Sequence, residues 1–435
     1  MVMLTVAKAG LALALSASAS RQAGAEETPA LDSTAIKAEA DKLRSEQSEI
    51  GATLLKKFPN DFEALRIMGF VHSGHGDLEK MVECWRRCAE IEPKRADVQD
   101  QLGRYEFQRQ SYATAIEHWQ RALAIDAKYP GADRQIGEAL LQLGKPEEVK
   151  TYLQRAIDTS NNDSEAHYLL GEAHYQLRDW LRAKQNYARA VELKPTHKQA
   201  YYGLIKTCGQ LDERDEVAKY SQKFQQLQSA TFAADREYRQ HFDELENIRE
   251  EVAVTCLDAG RLFATHEQLA QAEPMWKRAC ELNADNATSR NLLGALYLKQ
   301  RKVHEALEQF KELARLEPTD AGHFQQLGFL EARLGNLAAA ERYFKRVIAV
   351  APKNAAGYRS LAKFYLNTKR EAKQALQLAA TAVTLEPVAD SYFVLGWSHA
   401  VNGRRVEATA ALEKAMQMDP NNSTYRQLHA MVRSK

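Results

Sequence analysis

Small and apolar residues recur along this chain with a period of 34 residues. Glycine marks the period, at Gly69, Gly103, Gly137, Gly171, Gly260, Gly294, Gly328 and Gly396. With that glycine counted as position 8, ten units of 34 residues begin at 62, 96, 130, 164, 198, 253, 287, 321, 355 and 389. Apolar positions 4, 7, 8 and 11, and then 20, 24 and 27, follow helical spacing. Each unit is therefore predicted to form two helices.

Small and helix-breaking residues mark where the two helices touch and where they end. Glycine at position 8 and alanine at position 20 leave room for a close contact between the helices. Glycine also falls in the break near position 15, as in Gly144-Lys145, where it favours helix termination. Proline at position 32 ends the second helix because it has no N–H to donate. In the ninth unit the pattern slips by one residue, so that Ala375, Ala382 and Pro387 take these parts.

The pattern resembles the tetratricopeptide repeat (TPR) family over roughly four fifths of the chain. The match is clearest in LLGALYLKQRKVHEALEQFKELARLEP (292–318) and QLGFLEARLGNLAAAERYFKRVIAVAP (326–352). The resemblance implies an all-α, right-handed α-solenoid of about ten 34-residue helix-turn-helix repeats with capping helices. Such hairpins bury their apolar faces by stacking on one another. The fold says little about the ligand, because one fold hosts many functions.

The units divide the chain into two predicted blocks, 62–231 and 253–422. Before the first block, 26–61 is predicted to be an N-terminal helical cap formed by a helical pair, and 423–435 is predicted to be a C-terminal capping helix. The 232–252 segment is predicted to be an inter-block helix. It is either an extension of the first helix of the sixth unit or a helix that docks a partner or a second copy.

The N-terminal segment 1–25 has the order of a secretory signal peptide. One lysine precedes a short apolar stretch, and small residues follow at 23–25 before two glutamates. We therefore expect an exported protein, periplasmic or secreted; the alternatives are a cytoplasmic protein with an alanine-rich tail or an organellar presequence. We expect no integral membrane segment in the mature chain.

Composition narrows the partner classes. The chain has 435 residues, with 59 Lys+Arg against 58 Asp+Glu, and this balance argues against a nucleic-acid partner. Five cysteines are too few and odd in number for a disulfide scaffold. The oligomeric state is left open.

No set of catalytic, metal-binding or cofactor-binding residues stands out from the repeat. His72, His75 and Asp77 with Cys84 and Cys88 have superficial metal-ligand spacing, but His72 and Cys88 fall on core positions 11 and 27. Neither a glycine-rich phosphate loop nor an HExxH pair occurs. The prediction is a protein that is not an enzyme and has no cofactor or metal.

The family resemblance implies that positions 2, 5, 9, 12 and 13 on the first helices line a concave groove. Aromatic and cationic side chains at these positions suit a protein or extended peptide, because rings supply contact area and cations hold carboxylates. The candidates are Arg66, Phe70, Arg104, Phe107, Arg134, Tyr168, Tyr175, Tyr202, Lys206, Arg261, Asn291, Phe329, Arg359, Lys363, Phe393 and Trp397. The predicted function is a non-enzymatic scaffold for partner proteins. The alternatives are an assembly or transport factor for envelope polysaccharide or secretion machinery, and a regulatory subunit of a separate enzyme.

Overall fold

The computed structural model describes residues 33–160, 162–241 and 244–434, and the regular structure of this part of the chain is helical. The predicted signal peptide, 1–25, lies outside the described residues. No helix within the described ranges is long and apolar enough to cross a membrane. The chain divides into two compact units, Met1–Leu262 and Phe263–Lys435.

The helices of the first compact unit begin with one long helix, and pairs follow it. They are α1 (Ser33–Lys57), α2 (Phe62–Gly74), α3 (Leu78–Ile91), α4 (Ala96–Gln108), α5 (Tyr112–Ile125), α6 (Ala132–Gln142), α7 (Pro146–Thr159), α8 (Ser164–Gln176), α9 (Trp180–Leu193), α10 (Lys198–Gln210), α11 (Arg214–His241) and α12 (Glu244–Thr265), whose last three residues belong to the second unit.

The second compact unit repeats the same alternation and closes with a single helix. Its further helices are α13 (Leu269–Leu282), α14 (Ala287–Lys299), α15 (Val303–Leu316), α16 (Ala321–Arg333), α17 (Leu337–Val350), α18 (Ala355–Asn367), α19 (Ala372–Leu385), α20 (Ala389–Val401), α21 (Arg405–Met418) and α22 (Ser423–Ser434). The predicted all-α solenoid of helix-turn-helix repeats is confirmed.

In most repeats the two helices meet where the glycine at position 8 contacts the bulky residue at position 24. A Cβ added to Gly103 would lie 2.7 Å from Nε1 of Trp119, and one added to Gly171 would lie 2.6 Å from Cδ1 of Tyr187. The prediction that small residues mark the helix contact is therefore confirmed at these positions. The alanines at positions 20 and 27 are fully buried in most repeats.

The turn between the paired helices has one backbone conformation in every repeat. The residue at position 15 has a positive φ in all ten units, from 54° at Lys369 to 82° at Gly335. Glycine supplies this conformation at Gly76, Gly144, Gly335 and Gly403. In the ninth repeat a second positive φ, at Glu371, accommodates the extra residue, so the predicted one-residue slip is confirmed.

Two of the predicted segments differ from the structure. The N-terminal cap is one continuous helix, α1, so the prediction of a helical pair there is wrong. Gly51 is the first glycine or proline within α1, and the helix continues through it. The 232–252 segment is shared between the end of α11 and the start of α12, with 242–243 outside the described residues. The block boundaries themselves stay predictions.

Candidate peptide-binding surface

The first helices of neighbouring repeats lie side by side within each compact unit. Helix α8 contacts α6 and α10 in the first unit, and α18 contacts α16 and α20 in the second. In the first to fifth and the seventh to tenth repeats, the second helix packs against the first helix of its own repeat. Helices α6, α8 and α10 therefore form one continuous row in the first unit, and α16, α18 and α20 form one in the second.

An aromatic cluster on α8 and α10 holds a lysine between two tyrosine rings. The Lys206 ammonium lies 4.6 Å from the ring centroid of Tyr175 and 5.1 Å from that of Tyr202. Tyr202 is 53% exposed, whereas Tyr175 and Lys206 are half-buried. Cation–π contacts of this kind fix the ammonium over the ring faces. The result is a partly open surface with an aromatic floor and one cation.

The buried Tyr187 and the half-buried Glu172 form hydrogen-bond and ionic contacts next to that cluster. The Tyr187 hydroxyl donates to the Glu172 carboxylate at 2.6 Å, and Glu172 also lies 3.7 Å from the Lys206 ammonium. Burial raises the pKa of Tyr187 well above its usual range, so this hydroxyl keeps its proton. Glu172 thus fixes the position of Lys206 relative to α9, which carries Tyr187.

Tyr168 packs within the same first-helix surface. Its ring lies 5.0 Å from the imidazole of His197 and 6.0 Å from the ring of Tyr187. The His197 imidazole lies 3.3 Å from Glu165 and lowers the pKa of that carboxyl. Tyr168 is half-buried, so it contributes one edge of its ring to the surface.

Acidic partners hold the candidate cations of the first compact unit. Arg104 pairs with Asp100 at 2.9 Å, and Arg134 lies 3.6 Å from Asp163. Asp163 also caps α8 by accepting from the amides of Glu165 and Ala166. These cations are therefore held in place, and an acidic ligand would have to compete with carboxylates already there.

The second compact unit has a similar arrangement on α18 and α20. Arg359 bonds the Glu386 carboxylate at 2.6 Å, and Lys363 bonds Asp390 at 2.8 Å. Phe329 on α16 is 47% exposed, and its ring packs edge-on against Phe344 at 5.2 Å. This unit therefore has an exposed ring on α16 and two cations with acidic neighbours on α18.

The sixteen candidates fall into three classes of exposure. Exposed side chains are Tyr202, Arg261, Asn291 and Phe329; half-buried ones are Arg66, Phe70, Arg104, Phe107, Arg134, Tyr168, Tyr175, Lys206, Arg359, Lys363 and Trp397. Phe393 is 8% exposed, which corrects its expected place in the open groove. Its ring stacks at 4.8 Å on Tyr425 of the C-terminal helix α22, a contact that no repeat pattern predicts.

The sequence analysis missed side chains on second helices that extend the aromatic cluster. Trp180 on α9 packs edge-on against Tyr175 at 4.9 Å, and Phe224 on α11 lies 6.1 Å from Tyr202. Both belong to positions outside the five that the resemblance assigns to the groove. Phe224 stands at position 27, which is alanine in most other repeats, and that large residue was the available signal; Trp180 has an aromatic equivalent in Tyr112 of the second repeat.

The cysteines of the first repeat are core residues, whereas His72 is half-buried and His75 is exposed. Cys84 and Cys88 are buried, and burial raises the pKa of the Cys88 thiol to about 12. Elsewhere among the described residues, Glu317, Asp320 and His323 bring three ligand-type atoms within 4.8 Å of one another. The His323 imidazole lies 2.6 Å from the Glu317 carboxylate, and this hydrogen bond accounts for the cluster.

Comparison with protein families gives one description along the chain. Models described as tetratricopeptide repeat match residues 106–173, 164–197, 257–321 with 327–387, and 389–422. Together these ranges cover more than half of the 435 residues.

The individual relatives have low sequence identity to this chain. Human protein O-mannosyl-transferase TMTC1 is 25% identical over 175 residues, which are 39% of this chain and 20% of that protein. The chain thus spans about a fifth of the length of this curated relative.

Among solved structures, the chain is similar to YrrB, which is described as a TPR protein with an unusual peptide-binding site. The two are 21% identical, the match covers 42% of this chain and 92% of YrrB, and the TM-score is 0.36. MamA from Desulfovibrio magneticus RS-1 is 18% identical over 39% of this chain and 96% of its own, with a TM-score of 0.37. Yeast Tom70 is 14% identical over 78% and 88%, with a TM-score of 0.32.

Proposed function

Because this chain belongs to the tetratricopeptide repeat family, we propose that it is a non-enzymatic scaffold that binds an extended segment of a partner protein. The segment lies along the first helices α8 and α10. The observation that carries this proposal is the cluster of Tyr175, Tyr202 and Lys206, which combines open ring surface with a cation held between the rings. Rings of this kind bind side chains through contact area at low entropic cost.

The chemistry of the cluster favours a segment with an aromatic or aliphatic side chain next to a carboxylate. The apolar group would pack on the exposed face of Tyr202, which α11 does not cover fully. The carboxylate would reach Lys206, whose contact with Glu172 is 3.7 Å, longer than a direct hydrogen bond. A single contact of this size corresponds to about micromolar affinity unless several repeats act together.

Selection from a random peptide display library with the full chain as bait tests the proposal. Selected peptides are then titrated against the wild-type chain and the Tyr175→Ala/Tyr202→Ala variant by fluorescence polarisation. We expect at least tenfold weaker binding to the variant, about 1.4 kcal/mol or more, because both rings of the cluster are removed.

Tyr152→Ala is the matched control, since Tyr152 is a half-buried tyrosine on the second helix α7 of the same compact unit. Equal loss in control and variant would indicate a general loss of stability and contradict the proposed surface. Partners captured from cells by the intact chain and lost by the variant would then name the process. A synthase or channel component among them would favour the assembly or regulatory alternatives.

A further inference from the structure

Helix α12 folds back onto the beginning of the chain within the first compact unit. The Arg66 guanidinium on α2 bonds the Asp258 carboxylate at 2.9 Å, across 192 residues of sequence. The Gln47 amide on α1 donates to the Thr255 hydroxyl at 2.9 Å, across 208 residues. These contacts join the cap and the first repeat to the 244–262 part of α12.

The Gln47–Thr255 contact at this junction is buried. Gln47 is 5% exposed and Thr255 is 7% exposed. The Gln47 amide also approaches the backbone carbonyl of Glu251 at 3.4 Å, and its oxygen lies 3.0 Å from Nε2 of His75. A buried amide with all of these partners fixes one orientation of α12, because an unmade bond there costs free energy.

The covered face of the first repeat is its ligand face in the family pattern. Arg66 stands at position 5 and Gly74 at position 13, and a Cβ added to Gly74 would lie 3.4 Å from the Glu251 carboxylate. The covering segment, 244–262, carries five acidic and two basic residues. An acidic helix therefore lies on the groove positions of the first repeat.

We propose that residues 244–262 are a built-in occupant of the first repeat, and that this repeat accepts an acidic amphipathic helix. The inference rests on the proposed scaffold function. It adds that α12 regulates access to the groove positions of the first repeat. A partner with an acidic helix competes with α12 for Arg66 and Gln47. The repeat then opens when such a helix displaces the internal one.

The chemistry of the junction permits this exchange. The Arg66–Asp258 pair is partly solvated, with side chains 23% and 18% exposed, so an incoming carboxylate can replace the outgoing one. The internal helix has the advantage of belonging to the same chain, which raises its effective concentration at Arg66 above that of a free competitor. Weak competitors therefore do not displace α12 from the first repeat, whereas strong or multivalent ones do.

Binding of the segment in trans tests the proposal. The probe is a fluorescein-labelled peptide of residues 244–262 carrying Cys256→Ser, titrated against the full chain by fluorescence polarisation. We expect the wild-type chain to exclude it, and the Asp258→Arg chain to bind it at least tenfold more tightly. In that variant the internal arginine repels Arg66 and leaves it open to the probe.

Charge exchange supplies a second, independent arm. A probe that also carries Asp258→Arg should bind the Arg66→Asp chain and be excluded by the Arg66→Asp/Asp258→Arg chain, in which the internal pair is restored. Asp285→Arg is the control, since it breaks an exposed ion pair with Arg315 and should leave exclusion unchanged.

Equal binding of the first probe to the wild-type and Asp258→Arg chains, or to neither, would overturn the proposal. Helical circular dichroism establishes that each chain is folded, and Asp258→Asn replaces Asp258→Arg if the latter is not. The test is distinct from that of the scaffold function, because the Tyr175 and Tyr202 experiment uses other residues and other peptides. Either result can fail while the other stands.

Discussion

One bulky side chain at position 24 recurs from repeat to repeat and fills the space above the glycine at position 8. Trp85, Trp119, Tyr187 and Phe344 are four versions of it, each less than about 3% exposed. The partner glycine is required because the ring occupies the volume of a Cβ. At the residue scale, the two helices of these four repeats are held at a fixed distance by a large residue packed on a glycine. The large residue is Trp, Tyr or Phe, whereas the glycine is the same in all four.

Two glycine substitutions should change stability in opposite directions. Gly171→Ala places a Cβ 2.6 Å from Cδ1 of Tyr187 and should destabilise the protein by about 1–3 kcal/mol. Gly209→Ala, on α10, meets no atom within 4 Å and should stabilise it by about 0.5–1 kcal/mol, because alanine favours the helix. Urea unfolding midpoints measure both; a shift of the same sign in the two variants would contradict the steric argument.

At the scale of the element, ion pairs between neighbouring repeats favour the correct pairing of helical hairpins at three places. Glu273 and Lys302 pair at 3.4 Å, joining position 21 of the sixth repeat to position 16 of the seventh. Glu341 and Arg370 join the same positions of the eighth and ninth repeats. Lys184 and Glu213 join them between the fourth and fifth with the charges reversed. A reversed pair disfavours the wrong neighbour, since like charges would then meet.

The turns offer a prediction at the same scale. Arg178 occupies the left-handed position 15 with φ 60° and an exposed side chain. Arg178→Gly should stabilise the chain by about 1 kcal/mol, because the left-handed conformation is strained for a residue with a Cβ. Gly144→Ala, with φ 69° at the equivalent turn, should destabilise by a similar amount. Unchanged urea midpoints in both would show that the turn carries no such strain.

At the scale of the whole molecule, histidine burial links stability to pH. Burial lowers the pKa of His118 and His174, since a low-dielectric site disfavours the imidazolium. The same cause lowers the pKa of four more: His72, His75, His167 and His399. In the unfolded chain these groups titrate near 6.5.

The chain should therefore unfold more easily as the pH falls from 7.5 to 5.5. In this window the unfolded state binds more protons than the native state, so the free energy of unfolding decreases as the pH falls. Carboxylates with lowered pKa, such as Asp97 beside Arg95, lose their stabilising effect at lower pH, below this window. Urea midpoints at the two pH values measure the change, and His118→Gln/His174→Gln should reduce it. A midpoint that rises at pH 5.5 would contradict the assignment.

The sequence by itself determined the repeat, the pairing of its helices and the position of each turn. It could do so because the residues that hold each hairpin together are close in sequence: Gly103 and Trp119, like Gly171 and Tyr187, lie 16 residues apart. The same contact recurs in successive hairpins, so its residues recur along the chain with the period of the repeat. The position-5 cations and the aromatics of α8 and α10 were predictable for the same reason, as surface positions of that period.

The tertiary structure decided which of those positions remain open. Phe393 is covered by Tyr425 from a helix outside the repeats, and Arg66 is held by Asp258 from 192 residues away. The acid near Arg134 is the last residue of its own repeat, Asp163, and the acid that holds Lys363 is Asp390 of the next repeat; neither position has a fixed residue type. A period records what every repeat shares, whereas these contacts each occur at one place in the fold, so they depend on how distant segments pack.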